Sequence, residues 1–142
     1  MMQRYRTRRT RILAAVTIAA FACVAAGAPL AAHHSFSAEF DVNKPFKKTG
    51  VVTKVAWGNP HVFFYLDIAD EKSGTPTNWS MEMGNPNTLL RLGWTRDTLK
   101  VGDKVNVDGS LARDGSPFGN ARVVVLAETG QRLFAGSSQG QN

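Results

Sequence analysis

A single short helix is specified in the middle of a chain that otherwise alternates between apolar and polar residues. Asn85 is a favoured helix-capping residue, Pro86 suits the first helical position, and Gly93 suits the position after the last turn. These three residues predict a helix that begins after Asn85 and ends before Gly93. Any fold assigned to the chain must therefore place one helix at this point among its strands.

Strands are predicted on both sides of this helix from runs of β-branched and aromatic residues that alternate with polar ones. They cover residues 49–57, 61–68 and 78–83 before the helix, and after it a strand through Val105, Val107 and Leu111 and a strand at about residues 120–126. Residues 128–130 are turn formers, and the chain after this turn allows a brief final strand through Leu133 and Phe134.

Three strands, a helix and two strands predict an all-β fold, a small five-stranded barrel of the oligonucleotide/oligosaccharide-binding type with one short helix between strands 3 and 4. An open antiparallel sandwich would use the same strands but would not explain the helix. The predicted divisions are a signal peptide at 1–32, an amino-terminal leader at 33–48, the barrel at 49–134 and a flexible tail at 135–142. The predicted core is Val55, Val62, Phe64, Leu66, Met81, Leu89, Val105, Val107 and Val123.

The first 32 residues have the pattern of an export signal. Five arginines precede an uncharged run from Ile12 to Gly27 that is rich in alanine and too short for a membrane span, which needs about 20 strongly apolar residues. Cleavage before His33 is predicted because small residues precede it, and a cut before Ala32 is the alternative. The ordinary secretory route is favoured over the twin-arginine route, and cleavage over lipidation of Cys23. The mature protein is therefore expected in the periplasm or outside the cell, without a stable membrane anchor.

Removal of the signal changes the charge and the redox chemistry. The chain has 17 basic and 11 acidic residues, and the signal takes five basic residues and no acidic one, which leaves 12 minus 11, or +1. A nearly neutral domain lacks the clustered positive charge that nucleic-acid binding requires, so no nucleic-acid partner is expected. The one cysteine leaves with the signal, so the mature domain depends on its core and has no disulfide.

Several motifs link the chain to a known family. They are His33-His34-Ser35-Phe36, Asn59-Pro60-His61, Trp79 with Glu82, Gly84-Asn85-Pro86-Asn87, Gly93-Trp94-Thr95-Arg96 and Leu99-Lys100-Val101-Gly102-Asp103. In their order and spacing the chain resembles an exported bacterial family of unknown function whose mature chains begin with His-His-Ser-Phe. The resemblance implies export and a small β domain, but no particular reaction.

The three histidines are candidate metal ligands. If His33 is residue one, its amine and imidazole form a chelate that suits copper(II) or nickel(II), and His61 can complete the site. If the chain begins at Ala32, His34 becomes the third residue, and the amine, two amides and the imidazole form a square-planar site. The structural alternative is a solvated terminus, with His61 an ordinary residue at the end of a strand.

Two further sites are weaker hypotheses. Met81 and Met83, beside Trp79, can bind copper(I) through their thioethers, although alternation already explains them as core residues. Phe63 and Tyr65 on one strand face, with Trp57 nearby, can stack against a small ligand.

No catalytic motif is recognised. The sequence has no Gly-x-Ser-x-Gly elbow, glycine-rich phosphate loop or His-Glu-x-x-His helix, and Glu39, Asp41 and Glu82 have no evident partner. The sequence therefore predicts an exported, non-enzymatic binding protein, with copper(II) at its terminal histidines as the favoured ligand. The alternative is a metal-free module that binds a small ligand or another envelope protein.

Overall fold

A computed structural model of the chain describes residues 36–70 and 73–137. In chain order the elements are α1 (Phe36–Glu39), β1 (Phe40–Ala56), β2 (Phe63–Ala69), β3 (Pro76–Glu82), α2 (Pro86–Arg91), β4 (Lys104–Ala112), β5 (Phe118–Leu126) and β6 (Arg132–Phe134). The predicted signal peptide, His33, His34 and most of the predicted tail lie outside the described residues. No helix among the described residues is long and apolar enough to cross a membrane.

The strand pairings form a closed circuit. The order in the sheet is β3-β2-β1-β4-β5-β6, and a further parallel pairing joins Ser80–Glu82 of β3 to Phe118–Asn120 of β5. The circuit therefore runs β1-β2-β3-β5-β4 and returns to β1, and every pairing other than β3–β5 is antiparallel. The fold is mostly β, as predicted.

The prediction of five strands is wrong, because the described chain contains a sixth. β6 pairs with β5 outside the closed circuit, with Leu133 opposite Val124. The turn before it is tight: Gly130 has φ of +70°, and its backbone N–H donates to the Leu126 carbonyl at 2.8 Å. Glycine adopts this left-handed conformation at little cost, so the turn residues at 128–130 bring the chain back as a hairpin.

The predicted helix is confirmed as α2, between β3 and β4. The Asn85 side chain accepts a hydrogen bond from the Thr88 N–H at 2.9 Å, and Pro86 is the first helical residue. Gly93, after the last turn, has φ of +91°. Capping depends on neighbouring residues alone, which is why the sequence predicted it well.

The first strand is longer than predicted. β1 has 17 residues and begins at Phe40, whereas the sequence pattern suggested a start at residue 49. Residues 41–45 are polar or exposed, and their sequence shows no alternation of apolar and polar residues. The strand nevertheless pairs with β4 on both sides of this segment, from Phe40 opposite Ala112 to Val51 opposite Lys104. The partner strand supplies the hydrogen bonds, so most of the predicted leader is part of the sheet.

The core contains most of the predicted residues. Seven of them belong to the main buried cluster, Val55 is only partly buried against that cluster, and Val123 is buried outside it. Val124 takes the predicted place of Val123 because the register between β4 and β5 shifts at Arg122: Asp108 lies opposite Val123, but Gly109 lies opposite Ala121. One extra residue in a strand reverses which later side chains face inward.

Candidate functional site

Glu82 is a buried carboxylate at the end of β3. Alternation turns Met81 and Met83 into the core and Glu82 to the opposite face of the sheet, yet Glu82 is only 5% exposed. Its Oε1 lies 3.1 Å from His61 Nδ1 and accepts a hydrogen bond from Asn120 Nδ2 at 3.4 Å. A buried charge is costly unless it is paired and hydrogen-bonded, so this group defines the candidate site.

Strand register brings these three residues together. Glu82 lies opposite Phe63 of β2 and, through the parallel pairing, opposite Asn120 of β5. His61 precedes Phe63 by two residues, and the Val62 backbone already pairs with Met83 and Gly84. Side chains two residues apart on an extended chain share a face, so His61 reaches the carboxylate of Glu82.

The amino-terminal leader packs beside this site. Phe36 and Phe40 are buried, and their ring centroids are 5.4 Å apart. Phe40 also contacts Phe118 at 5.0 Å, and Phe118 stacks with Phe63 at 6.4 Å. These four phenylalanines form a continuous row over the face that carries Glu82, so the described part of the leader starts next to the site.

The electrostatics of Glu82 follow from this burial. The pKa of Glu82 is raised from 4.5 to about 7, first by loss of hydration on burial and second by the nearby Glu39 carboxylate, while the Asn120 hydrogen bond opposes both effects. Perturbed carboxylates of this kind are concentrated at functional sites.

The carboxy-terminal segment meets the same site from the other side. Ser137 Oγ hydrogen-bonds to Asn120 Oδ1, and the Gly84 N–H donates to the Ala135 carbonyl at 2.8 Å. A side chain at Gly84 would place its Cβ 2.5 Å from the Gly136 carbonyl oxygen, so only glycine allows this close approach. Both ends of the described chain therefore support the contacts of Glu82.

Of the predicted metal ligands, His61 is at this site, and His33 and His34 lie outside the described residues. Met81 and Met83 are fully buried in the core cluster, and Trp79 packs against it. The predicted stacking residues each contact another side chain: Phe63 with Phe118, Tyr65 with Lys54 at 5.2 Å, and Trp57 with Arg96 at 5.9 Å.

The sequence interpretation missed Glu82 and Asn120 as site residues. Glu82 is not without a partner, as the sequence suggested, because cross-strand register supplies His61. Asp41 likewise lies 3.9 Å from Arg113. The sequence feature that pointed to Glu82 was its position between Met81 and Met83, the two methionines on the apolar face of the strand. Among residues 36–70 and 73–137, no group of three or more His, Cys, Asp and Glu side chains could hold a metal ion.

The stability of the metal-free protein is expected to fall as pH rises from about 4.5 to about 7. The unfolded chain releases the Glu82 proton near pH 4.5, whereas the pKa in the folded protein is about 7. Between these pH values the folded state binds more protons than the unfolded state. The free energy of unfolding therefore decreases as pH rises, by at most about 3 kcal/mol in total. Denaturant unfolding in the presence of a chelator, across this pH range, measures the change.

Glu82→Gln keeps the shape of the side chain but cannot ionise, so this part of the pH dependence is expected to vanish. Glu128→Gln, at an exposed position outside the strands, is the matched control and is expected to leave it unchanged. An identical pH profile for the parent and Glu82→Gln would contradict the assignment.

A closed circuit of strands, with the half-buried His61 paired to the buried Glu82 beside the leader, defines a small β domain with a polar site at the end of β3. The chain belongs to the family of unknown function DUF6152, which it matches over residues 20–121. No curated protein matches the chain. Among solved structures it is similar to a mitochondrial single-stranded DNA-binding protein from S. cerevisiae, with 10% identity and a TM-score of 0.47 over 59% of this chain and 93% of that one. A similarity at this level supports no inference about ligands.

Proposed function

We propose that this protein is an exported, non-enzymatic copper(II)-binding protein whose mature amino terminus and His61 share one metal. The observation that carries the proposal is the packing of the leader beside the His61–Glu82 pair. Phe36 is buried against Phe40, and Phe40 is linked through Phe118 to Phe63, the residue opposite Glu82. His33 precedes Phe36 by three residues in the sequence. The proposal requires that the terminal amine and imidazole of His33 reach His61.

The contact between His61 and Glu82 supports a ligand role for His61. Metal-binding histidines usually donate their second ring N–H to a carboxylate or carbonyl, which fixes the ring and raises its basicity. Glu82 lies against Nδ1 at 3.1 Å, so His61 would bind the metal through Nε2. With the amine and imidazole of His33, this supplies three nitrogen ligands, and His34 contributes instead if the chain begins at Ala32. Nitrogen ligands of these types suit copper(II).

The scaffold proposed for this site is a five-stranded barrel of the oligonucleotide/oligosaccharide-binding type, extended by β6. The closed β1-β2-β3-β5-β4 circuit and the position of α2 after β3 support it. The basic and apolar segments within residues 1–32 support export to the periplasm or beyond. Copper(I) binding by Met81 and Met83 is the less favoured metal hypothesis, because both side chains are fully buried in the core.

Copper(II) titration of the mature protein, purified after export, tests the proposal. Intact mass first establishes whether residue one is His33. We expect one copper per chain, and His33→Ala and His61→Ala are each expected to weaken binding about a hundredfold or more, beyond the effect typical of an outer-shell partner. His34→Ala is expected to matter little. Affinity is expected to fall below about pH 6.5, where imidazoles gain protons.

Two controls make the result specific. One glycine added before His33 displaces the amine from the His33 imidazole and makes His34 the third residue, so copper binding is expected to become dependent on His34 and independent of His61. A mass that begins at Ala32 predicts the reverse order, with His34 essential and His61 dispensable. Binding that is insensitive to all three histidine substitutions would contradict the proposal and favour the metal-free module, with Phe63, Tyr65 and Trp57 as its candidate ligand-binding residues.

A further inference from the structure

A bulge separates the first residue of β1 from the rest of that strand. β1 has four residues, 41–44, between its pairings to Ala112 and Ser110, where β4 has one. Most of these four residues are exposed, and the Asn43 N–H donates to the Asp41 carboxylate at 3.0 Å rather than to a neighbouring strand. Extra residues in a bulge lie outside the ladder of strand hydrogen bonds. The chain before the bulge is therefore joined to the sheet through a link with little pairing of its own.

Residues 36–40, which precede the bulge, are here called the strap. Arg113, in the connection between β4 and β5, donates two hydrogen bonds to backbone carbonyls of the strap, from its Nε to Ser37 at 2.8 Å and from its backbone N–H to Glu39 at 3.0 Å. Its Nη1 also lies 3.9 Å from Asp41 Oδ2, at the start of the bulge. A single exposed residue thus contacts both the strap and the bulge.

The strap lies over the face of the sheet that carries Glu82. Phe36 and Phe40 of the strap are buried with their ring centroids 5.4 Å apart, and Phe40 lies 5.0 Å from Phe118 at the start of β5. Glu39 of the strap is near enough to the Glu82 carboxylate to repel it electrostatically. Glu82 is only 5% exposed, although its side chain points away from the core. The strap is therefore part of what covers this carboxylate.

We propose that the strap is a hinged cover for the candidate site, which opens as one unit about the bulge at 41–44 while the circuit of strands stays folded. Arg113 is the latch that holds the cover closed. Segments held by few contacts open at a lower free energy than global unfolding requires. Opening makes Glu82 and the ring of Phe118 accessible from solvent, so the strap controls access to the site. This cover acts whether or not the chain binds copper.

Amide hydrogen exchange of the metal-free protein, with a chelator present, tests the cover. The Arg113 N–H reports on the strap because it donates to Glu39, and the Val52 N–H, which donates to the Asp103 carbonyl at 2.9 Å, reports on the strand circuit. After correction for intrinsic rates, the Arg113 N–H is expected to exchange about tenfold or more faster than the Val52 N–H. Its exchange is also expected to depend less on urea, since local opening exposes less surface. Equal rates with the same urea dependence would overturn the proposal, because the strap would then open only when the whole sheet unfolds.

Arg113→Ala tests the latch. The substitution removes the side-chain contacts to Ser37 and Asp41 but keeps the backbone N–H, so the same amide still reports on the strap. Its exchange is expected to become about tenfold faster, the effect of losing one hydrogen bond to a charged group, with little change at Val52. Arg122→Ala, which removes an exposed arginine from β5, is the matched control and is expected to change neither amide. An unchanged rate at position 113 in Arg113→Ala would overturn the role of the latch.

Phe36→Ala tests whether the strap opens as one unit. The substitution leaves the hydrogen bonds of Arg113 in place but removes a buried ring from the far end of the strap. If residues 36–40 open together, the lost burial is expected to accelerate exchange of the Arg113 N–H about tenfold as well. Exchange at Arg113 that is insensitive to Phe36→Ala would show that the β4–β5 connection opens by itself, and would overturn the hinged cover.

Discussion

Phe64→Ala is expected to lower the free energy of unfolding by about 3 to 5 kcal/mol, the cost of removing a large buried ring and leaving a cavity. Phe64 lies on β2 between β1 and β3, and its side chain is fully buried in the core cluster. Its neighbours across the strands are Val55 on β1 and Met81 on β3, so the lost contacts lie between three strands. Such a loss is a large part of the total stability of a small domain. Equilibrium unfolding in urea measures it.

Phe134→Ala is the matched control, since Phe134 is 57% exposed on β6. The same atoms are removed without a buried cavity, so a loss well below that of Phe64→Ala is expected. If Phe64→Ala unfolded at the same urea concentration as the parent, the assignment of Val62, Phe64 and Leu66 to the inner face would be contradicted. Phe63 and Tyr65 would then be the core residues, because a slip of one residue exchanges the two faces of a strand.

Gly109→Ala is expected to be strongly destabilising, by about 3 kcal/mol, at the upper end of the usual cost of over-packing. A Cβ at this position would lie 2.1 Å from the backbone oxygen of Asn120 and 3.0 Å from the ring of Phe46. The obstacle is backbone within a paired strand, so it cannot move as the end of a flexible side chain can. β4 and β5 would have to separate at the point where their register shifts. Thermal and urea unfolding both report this loss.

Gly58→Ala is the matched control for this substitution. A Cβ at Gly58 would have no heavy atom within 4 Å, so a near-neutral effect is expected. Gly109→Ala has a second expected consequence, because the displaced Asn120 is the hydrogen-bond donor to Glu82. The unfolding of Gly109→Ala is therefore expected to show an altered pH dependence as well as a lower stability. A Gly109→Ala protein as stable as the parent would show that β4 and β5 lie further apart than described.

The elements that the sequence predicts well are those whose causes are local. The helix α2 was predicted almost to the residue because Asn85, Pro86 and Gly93 act within one or two turns. The inward face of β2 was predicted because Val62, Phe64 and Leu66 alternate without interruption, and no neighbouring strand is needed to recognise that pattern. The prediction of a mostly β fold with one central helix follows from these local patterns.

Other features depended on partners distant in the sequence. Phe40 begins β1 because Ala112 of β4 lies opposite it, and Val124 replaces Val123 in the core because Arg122 is an extra residue in the ladder. Trp94 is only 1% exposed and donates to the Phe134 carbonyl at 2.8 Å, a contact 40 residues along the chain. The residues next to Phe40, Arg122 and Trp94 in the sequence give no indication of these distant partners.

The candidate site shows the same division. The histidines at the predicted mature terminus and His61 were recognisable from residue type and position alone, because imidazole chemistry belongs to the side chain itself. Glu82 became a site residue only when the register of β2, β3 and β5 placed His61 and Asn120 beside its carboxylate and the leader was packed next to it. Burial and a neighbouring like charge are properties of the surroundings, so the pKa of about 7 for Glu82 is decided by the tertiary structure.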